Sequence, residues 1–153
     1  METVRLKPYA WALVAGLQVV AGSAVAQQGE QVDPRTLYEI TTPGGAQKVK
    51  AGSKGSVMVA IKTKNGSHVS GEAPFKLEVS AKGVKPEKER LSLADAVDKR
   101  PVENGVADPR WEIAFLAPSA GHGEVDAKLT FFICTEKICA RQQKTVSIPV
   151  EVD

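Results

Sequence analysis

Three observations predict an all-β chain, an immunoglobulin-like antiparallel β-sandwich built as a single domain. Short runs alternate apolar and polar residues with period two, as in Val57, Val59 and Ile61 against Met58, Ala60 and Lys62. Turn signals such as Pro43-Gly44-Gly45, Lys64-Asn65-Gly66-Ser67 and Lys82-Gly83 separate these runs. No segment carries a 3.6-residue apolar stripe, so helices are not expected.

The chain has 153 residues, and its first 26 read as a secretory signal peptide. Arg5 and Lys7 form a positive start, Trp11 to Val20 form a short apolar run, and Ala24-Val25-Ala26 gives a small-x-small cleavage pattern. The apolar run is shorter than the roughly 20 residues a spanning helix needs. No cysteine stands at the cleavage site, which argues against a lipid anchor. Cleavage before Gln27 leaves 127 residues, enough for one domain with its own core. The product is expected in the periplasm or outside the cell, free of the membrane, where disulfides persist.

Residues 27–36 are polar and read as a flexible tail; the domain is expected over 37–153. Leu37 to Thr41 reads as a short edge strand and Gly55 to Thr63 as a clean alternating one. Phe75, Leu77 and Val79 alternate with Lys76, Glu78 and Ser80 in the next. Lys85 to Arg90 reads as a charged connector. Asp95 to Arg110 shows no periodicity and contains Pro101, Asn104-Gly105 and Pro109; it is expected to be a long functional or mobile loop. Trp111, Ile113 and Phe115 mark another strand, Pro118 to Gly123 a turn cluster, and Glu124 to Cys134 and Cys139 to Val152 the closing pair.

Composition excludes several functions. The expected mature chain balances 18 basic against 17 acidic residues, which gives no reason to expect nucleic acid or an anionic membrane as partner. Tyr38, Phe75, Trp111, Phe115, Phe131 and Phe132 are too few for base-stacking platforms. No phosphate loop, dinucleotide fingerprint or hydrolase constellation is present, so no cofactor is expected. His68 and His122 each stand alone and read as solvated loop histidines, and Met58 reads as sandwich filler rather than a metal ligand. Asp95, Asp98, Glu103 and Asp108 read as a solvated acidic loop, with a proton acceptor for thiol exchange as the functional alternative.

The candidate site is the cysteine pair, Cys134 and Cys139, the two cysteines of the chain. Val125, Ala127, Leu129, Phe131 and Ile133 form the core face of one strand, which turns Cys134 outward. Val146, Ile148, Val150 and Val152 form the core face of the other, which turns Cys139 outward as well. A four-residue loop, Thr135 to Ile138, sets the two opposite each other, at a Cα separation of about 4.5–5.5 Å that a disulfide accepts. Closing so short a loop contributes only about 2 kcal/mol by chain entropy. An outward, local pair suits thiol exchange, which needs a sulfur that a partner reaches. Lys137 and Arg141 favour a thiolate and Glu136 opposes one. These residues leave open an exchange-active pair, an inert surface disulfide and a metal site.

The pattern resembles the periplasmic N-terminal domain of the thiol:disulfide interchange protein DsbD and stand-alone domains like it. Asn65-Gly66-Ser67-His68 with Ala73-Pro74-Phe75, Trp111 to Phe115, Ala120-Gly121, and Phe131 through Cys139 to Val150 carry the resemblance. It covers most of residues 37–152, and the cysteine hairpin is its most specific part. The resemblance implies an immunoglobulin-like fold with a redox-active pair, Cys139 forming the mixed disulfide and Cys134 resolving it. It implies electrons received from a separate membrane thiol reductase and passed to periplasmic thioredoxin-like proteins. In that family a cap loop with aromatic residues shields the pair. The matching stretch here, Val97 to Val106, has no aromatic residue, which leaves Phe132 as the candidate shield. The alternative from another class is a non-catalytic immunoglobulin-like interaction module with a structural hairpin disulfide.

Overall fold

The computed structural model describes residues 31–153, of which Val32–Asp153 form a compact unit. The signal-peptide reading of residues 1–26 lies outside the described residues. Of the segment 27–36, Pro34–Thr36 form a 3-10 turn capped by the Asp33 carboxylate, which accepts from the Arg35 backbone N–H at 3.0 Å. Among the described residues no helix is long and apolar enough to cross a membrane.

The strands are β1 (Tyr38–Thr41), β2 (Gln47–Val49), β3 (Lys54–Thr63), β4 (His68–Ser70), β5 (Lys76–Lys82), β6 (Lys85–Pro86), β7 (Arg90–Leu91), β8 (Asp98–Val102), β9 (Gly105–Leu116), β10 (Gly121–Cys134) and β11 (Cys139–Val152). All belong to one sheet that curls over itself, with the main path β1-β3-β9-β4-β10-β11-β2. The all-β architecture is the expected one. β1, β3 and β9 form one layer, flanked by β8 and β6; β4, β5, β10 and β11 form the other. β9 joins them, pairing β3 through Arg110 to Leu116 and β4 through Gly105 and Val106.

Period-two alternation decides which residues are inside. Val57, Val59 and Ile61 of β3, Trp111, Ile113 and Phe115 of β9, and Val125 to Ile133 of β10 at every second position are almost wholly buried. Burying a side chain of this size stabilises by about 1.5–3 kcal/mol, so three such faces carry most of the fold. The Trp111 indole N–H donates to the Ser92 carbonyl at 2.9 Å, and Phe75 stacks on its ring at 4.9 Å between centroids. Tyr38 meets Phe131 edge-on at 5.0 Å, and its hydroxyl donates to Gln142 at 3.0 Å. That burial pushes the Tyr38 hydroxyl above its ordinary pKa.

The strand pattern departs from the sequence reading at several points. The pairing is antiparallel except at β2, which lies parallel to β11 through Gln47↔Val150 to Val49↔Val152. Only three residues of β2 take part, too few for the alternation to register. The charged connector Lys85 to Arg90 contains two-residue strands, β6 against β9 and β7 against β5. Phe75 precedes β5 rather than belonging to it. Asp95 to Arg110 is not an open loop: after a 3-10 turn at Leu93–Asp95, β8 and β9 form a hairpin that turns at Glu103-Asn104.

Asp108 interrupts the alternation on the β9 side of that hairpin. It adopts φ 49°, a left-handed conformation that short polar side chains tolerate. Its Oδ1 accepts from the Thr63 backbone N–H at 2.9 Å and the Thr63 hydroxyl at 3.0 Å, and its Oδ2 faces Arg100 at 3.4 Å. Desolvation acts to raise the Asp108 pKa, but the Thr63 and Arg100 hydrogen bonds outweigh it and the net shift is downward. The β8–β9 register slips at this point, between Asp98 and Arg100.

Candidate functional site at the β10–β11 hairpin

Cys134 and Cys139 face each other across the end of the β10–β11 ladder and are joined by a disulfide with Cα atoms 4.1 Å apart. Fourteen consecutive residue pairs, from Gly121↔Val152 to Cys134↔Cys139, fix this register without a bulge. The loop between them is held by its own residues. The Thr135 N–H donates to the Ile138 carbonyl at 2.8 Å, and the Thr135 hydroxyl accepts from the N–H groups of Lys137 and Ile138, both at 3.2 Å. Ile138 packs against the edge of the core and draws the loop inward.

Both cysteines share the outer face, with Phe132 and Arg141 as the next pair along it. Their exposure differs. Cys139 is exposed, whereas Cys134 is only 2 % exposed. Strand position explains the asymmetry. β10 is flanked at this level by β11 on one side and β4 on the other, through Cys134↔His68. β11 has no strand on its far side at this level among the described residues, since β2 reaches only Val150 to Val152. The sequence reading made both sulfurs reachable; in the fold one cysteine is covered.

The strands bring further residues to the pair. His68 is not a solvated loop residue: it opens β4, is half-buried, and lies opposite Cys134, which sets their Cβ atoms roughly 5 Å apart. A groove of about 510 Å³ runs beside the hairpin loop, lined by His68, Arg100, Glu103, Asn104, Thr135 and Glu136 among others. The β8–β9 tip forms its far wall, so the stretch expected to match a cap loop stands across the groove from the cysteine loop. Gly105 permits this approach. A Cβ there would overlap the Val69 carbonyl oxygen and stand 2.8 Å from the His68 ring. Asn104-Gly105 was the sequence signal for this wall, and Cys134 opposite His68 had none, because the two are far apart in the chain.

The other polar candidates are scattered. His122 is exposed on β10, with Nδ1 3.6 Å from a Glu151 carboxylate oxygen. Asp95 caps the 3-10 turn, accepting from the Ser92 N–H at 2.7 Å and its hydroxyl at 2.8 Å, and Asp98 pairs with Arg110 at 3.2 Å. Met58 is half-buried on β3. Among the described residues no group of three or more histidine, cysteine, aspartate or glutamate side chains is arranged to hold a metal ion.

No family model and no curated protein matches the chain. Among solved structures, domains 4 and 5 of the S-layer protein SbsC match with a TM-score of 0.34 and 18 % identity, over 75 % of this chain and 51 % of that one. This chain therefore spans about half the length of that S-layer structure. AggA, the major subunit of aggregative adherence fimbriae type I from Escherichia coli, matches with a TM-score of 0.37 and 14 % identity, over 76 % of this chain and 94 % of that one.

Proposed function

We propose that the chain is an exported thiol–disulfide exchange module that works through Cys134 and Cys139. The supporting observation is the asymmetry of the bond: an exposed cysteine on an edge strand joined to a covered one on an interior strand. A partner thiolate reaches Cys139 in this arrangement and attacks its sulfur, and the S–S electrons leave with Cys134 as a thiolate. A second thiol of the partner then attacks its own bridged sulfur and releases Cys139. The partner dithiol ends oxidised and this chain reduced; reversal returns two electrons. The partners in this reading are a membrane thiol reductase and periplasmic thioredoxin-like proteins, and the location is periplasmic or secreted.

A second reading has its own support. Cys134 is covered and the loop is closed by three hydrogen bonds of Thr135, as befits a non-catalytic interaction module whose disulfide stiffens a hairpin. The reduction potential separates the two. Equilibration against glutathione buffers with trapping of free thiols should give a value between about −180 and −270 mV for an exchange protein. A value below about −300 mV identifies a structural bond and sinks the exchange reading.

A further inference from the structure

Immediately below the disulfide, the outer face of β5, β10 and β11 forms a shallow hollow of about 340 Å³. Phe132 lies half-buried at its upper end, opposite Arg141 and one outer-face step from the cysteine pair, a distance of roughly 7 Å along the strands. Pro74, Lys76, Lys128, Thr130 and Gln143 line the rest of it, and Glu78 contributes the one carboxylate. Lys76, Lys128 and Arg141 are all exposed. Among the described residues none of the three has a carboxylate within ion-pairing distance, although Glu78 stands opposite Lys128 in the register. One outer-face step from the disulfide thus stands an aromatic ring beside Arg141, and the hollow beyond it carries two further cations and one carboxylate.

We propose that this hollow is the docking surface for the exchange partner, and that it selects a thiol protein carrying acidic residues and one apolar side chain beside its reactive cysteine. The proposal rests on the exchange reading above. Charge complementarity carries it: three cations against one carboxylate line the hollow and favour an anionic surface, and Arg141, the nearest, stands one outer-face step from the disulfide, roughly 7 Å and within a Debye length. An attacking thiolate is itself an anion, so the same field raises its encounter rate. The half-buried Phe132 ring offers the apolar contact such a partner needs at its centre.

The test measures how fast three small thiols reduce the Cys134–Cys139 bond in the signal-free protein: glutathione, which is anionic, mercaptoethanol, which is neutral, and cysteamine, which is cationic. Rates are compared per thiolate. Glutathione should outpace cysteamine by about tenfold at low salt, and the gap should close in about 0.5 M sodium chloride. The triple variant Lys76→Gln, Lys128→Gln, Arg141→Gln should also close it, slowing glutathione most, mercaptoethanol less and cysteamine least. A cysteine peptide with acidic neighbours and one leucine should outpace its leucine-free counterpart, and Phe132→Thr should abolish that advantage. Rates independent of thiol charge in the wild type, or a charge preference retained in the triple variant, overturn the docking surface. If none of the thiols reduces the wild-type bond, the exchange reading fails and the docking surface with it, an outcome distinct from reduction without charge preference.

Discussion

Two hairpin tips face each other across the groove at one end of the sandwich, and they are held shut by different means. The β10–β11 tip is closed by a covalent bond and a threonine-capped loop. The β8–β9 tip carries no covalent bond and is held by close backbone approach at Gly105 and by the Asp108 contacts to Thr63 and Arg100. Packing and hydrogen bonds therefore suffice to close a tip at this end of the molecule. That removes the simplest structural reason for a disulfide on the other tip and leaves room for a chemical one.

Four measurements test this contrast. The largest effect is expected at Gly105→Val. The added side chain must push β9 away from the Val69 carbonyl oxygen, a clash with backbone that cannot move aside. Such overpacking costs about 1–3 kcal/mol, and a clash with backbone falls at the upper end; the loss should appear in chemical denaturation together with faster amide exchange at Val69 and Ser70. A near-neutral result means that the β8–β9 tip does not depend on that contact.

Removing the disulfide should cost less. The Cys134→Ser, Cys139→Ser double variant is expected to lose about 2 kcal/mol and to keep its β-rich circular dichroism spectrum. A loss far above that assigns the bond a structural role and erases the contrast between the tips.

Asp108→Ala comes next. It removes the acceptor of two Thr63 hydrogen bonds and the partner of Arg100, for an expected loss of about 1 kcal/mol. Asp108→Asn, which tolerates the left-handed backbone and keeps one acceptor, should lose less. Because the Asp108 pKa is lowered in the fold, its contribution is present above the ordinary carboxylate range. It fades as pH falls through the folded pKa. Thermal unfolding followed from neutral to acid pH should show a shallower decline for Asp108→Asn than for the wild type.

The smallest effect belongs to Asp95, whose pKa is lowered to about 2, first by the Ser92 N–H, then by the Ser92 hydroxyl and Lys88. A depressed carboxylate stabilises above its unfolded pKa, near 4, and loses that stabilisation as pH falls toward about 2. The Asp95→Asn variant should be less sensitive to acid within that window. Equal acid sensitivity in wild type and variant would show that this cap does not couple to global stability.

Strands with one buried face were legible residue by residue. The parity of Val125 to Ile133 and of Val146 to Val152 placed both cysteines on the outer face and opposite each other, and the register agrees. The β8–β9 hairpin was not legible, because Lys99, Arg100 and Pro101 are all exposed and a strand without a buried face leaves no alternation to read. The Asn104-Gly105 turn was its one local mark.

The sequence by itself determined what depends on nearest neighbours along the chain: an all-β fold, the core face of each long strand, and a cysteine pair closed by a short loop. Only the tertiary structure decided what depends on which strands stand side by side. It buried Cys134 between β4 and β11, left Cys139 on an edge, set His68 opposite the covered cysteine, and gathered Lys76, Lys128 and Arg141 around Phe132. The physical reason is that side-chain direction alternates with a fixed period within a strand, whereas exposure and company are set by neighbouring strands that arrive from distant parts of the chain.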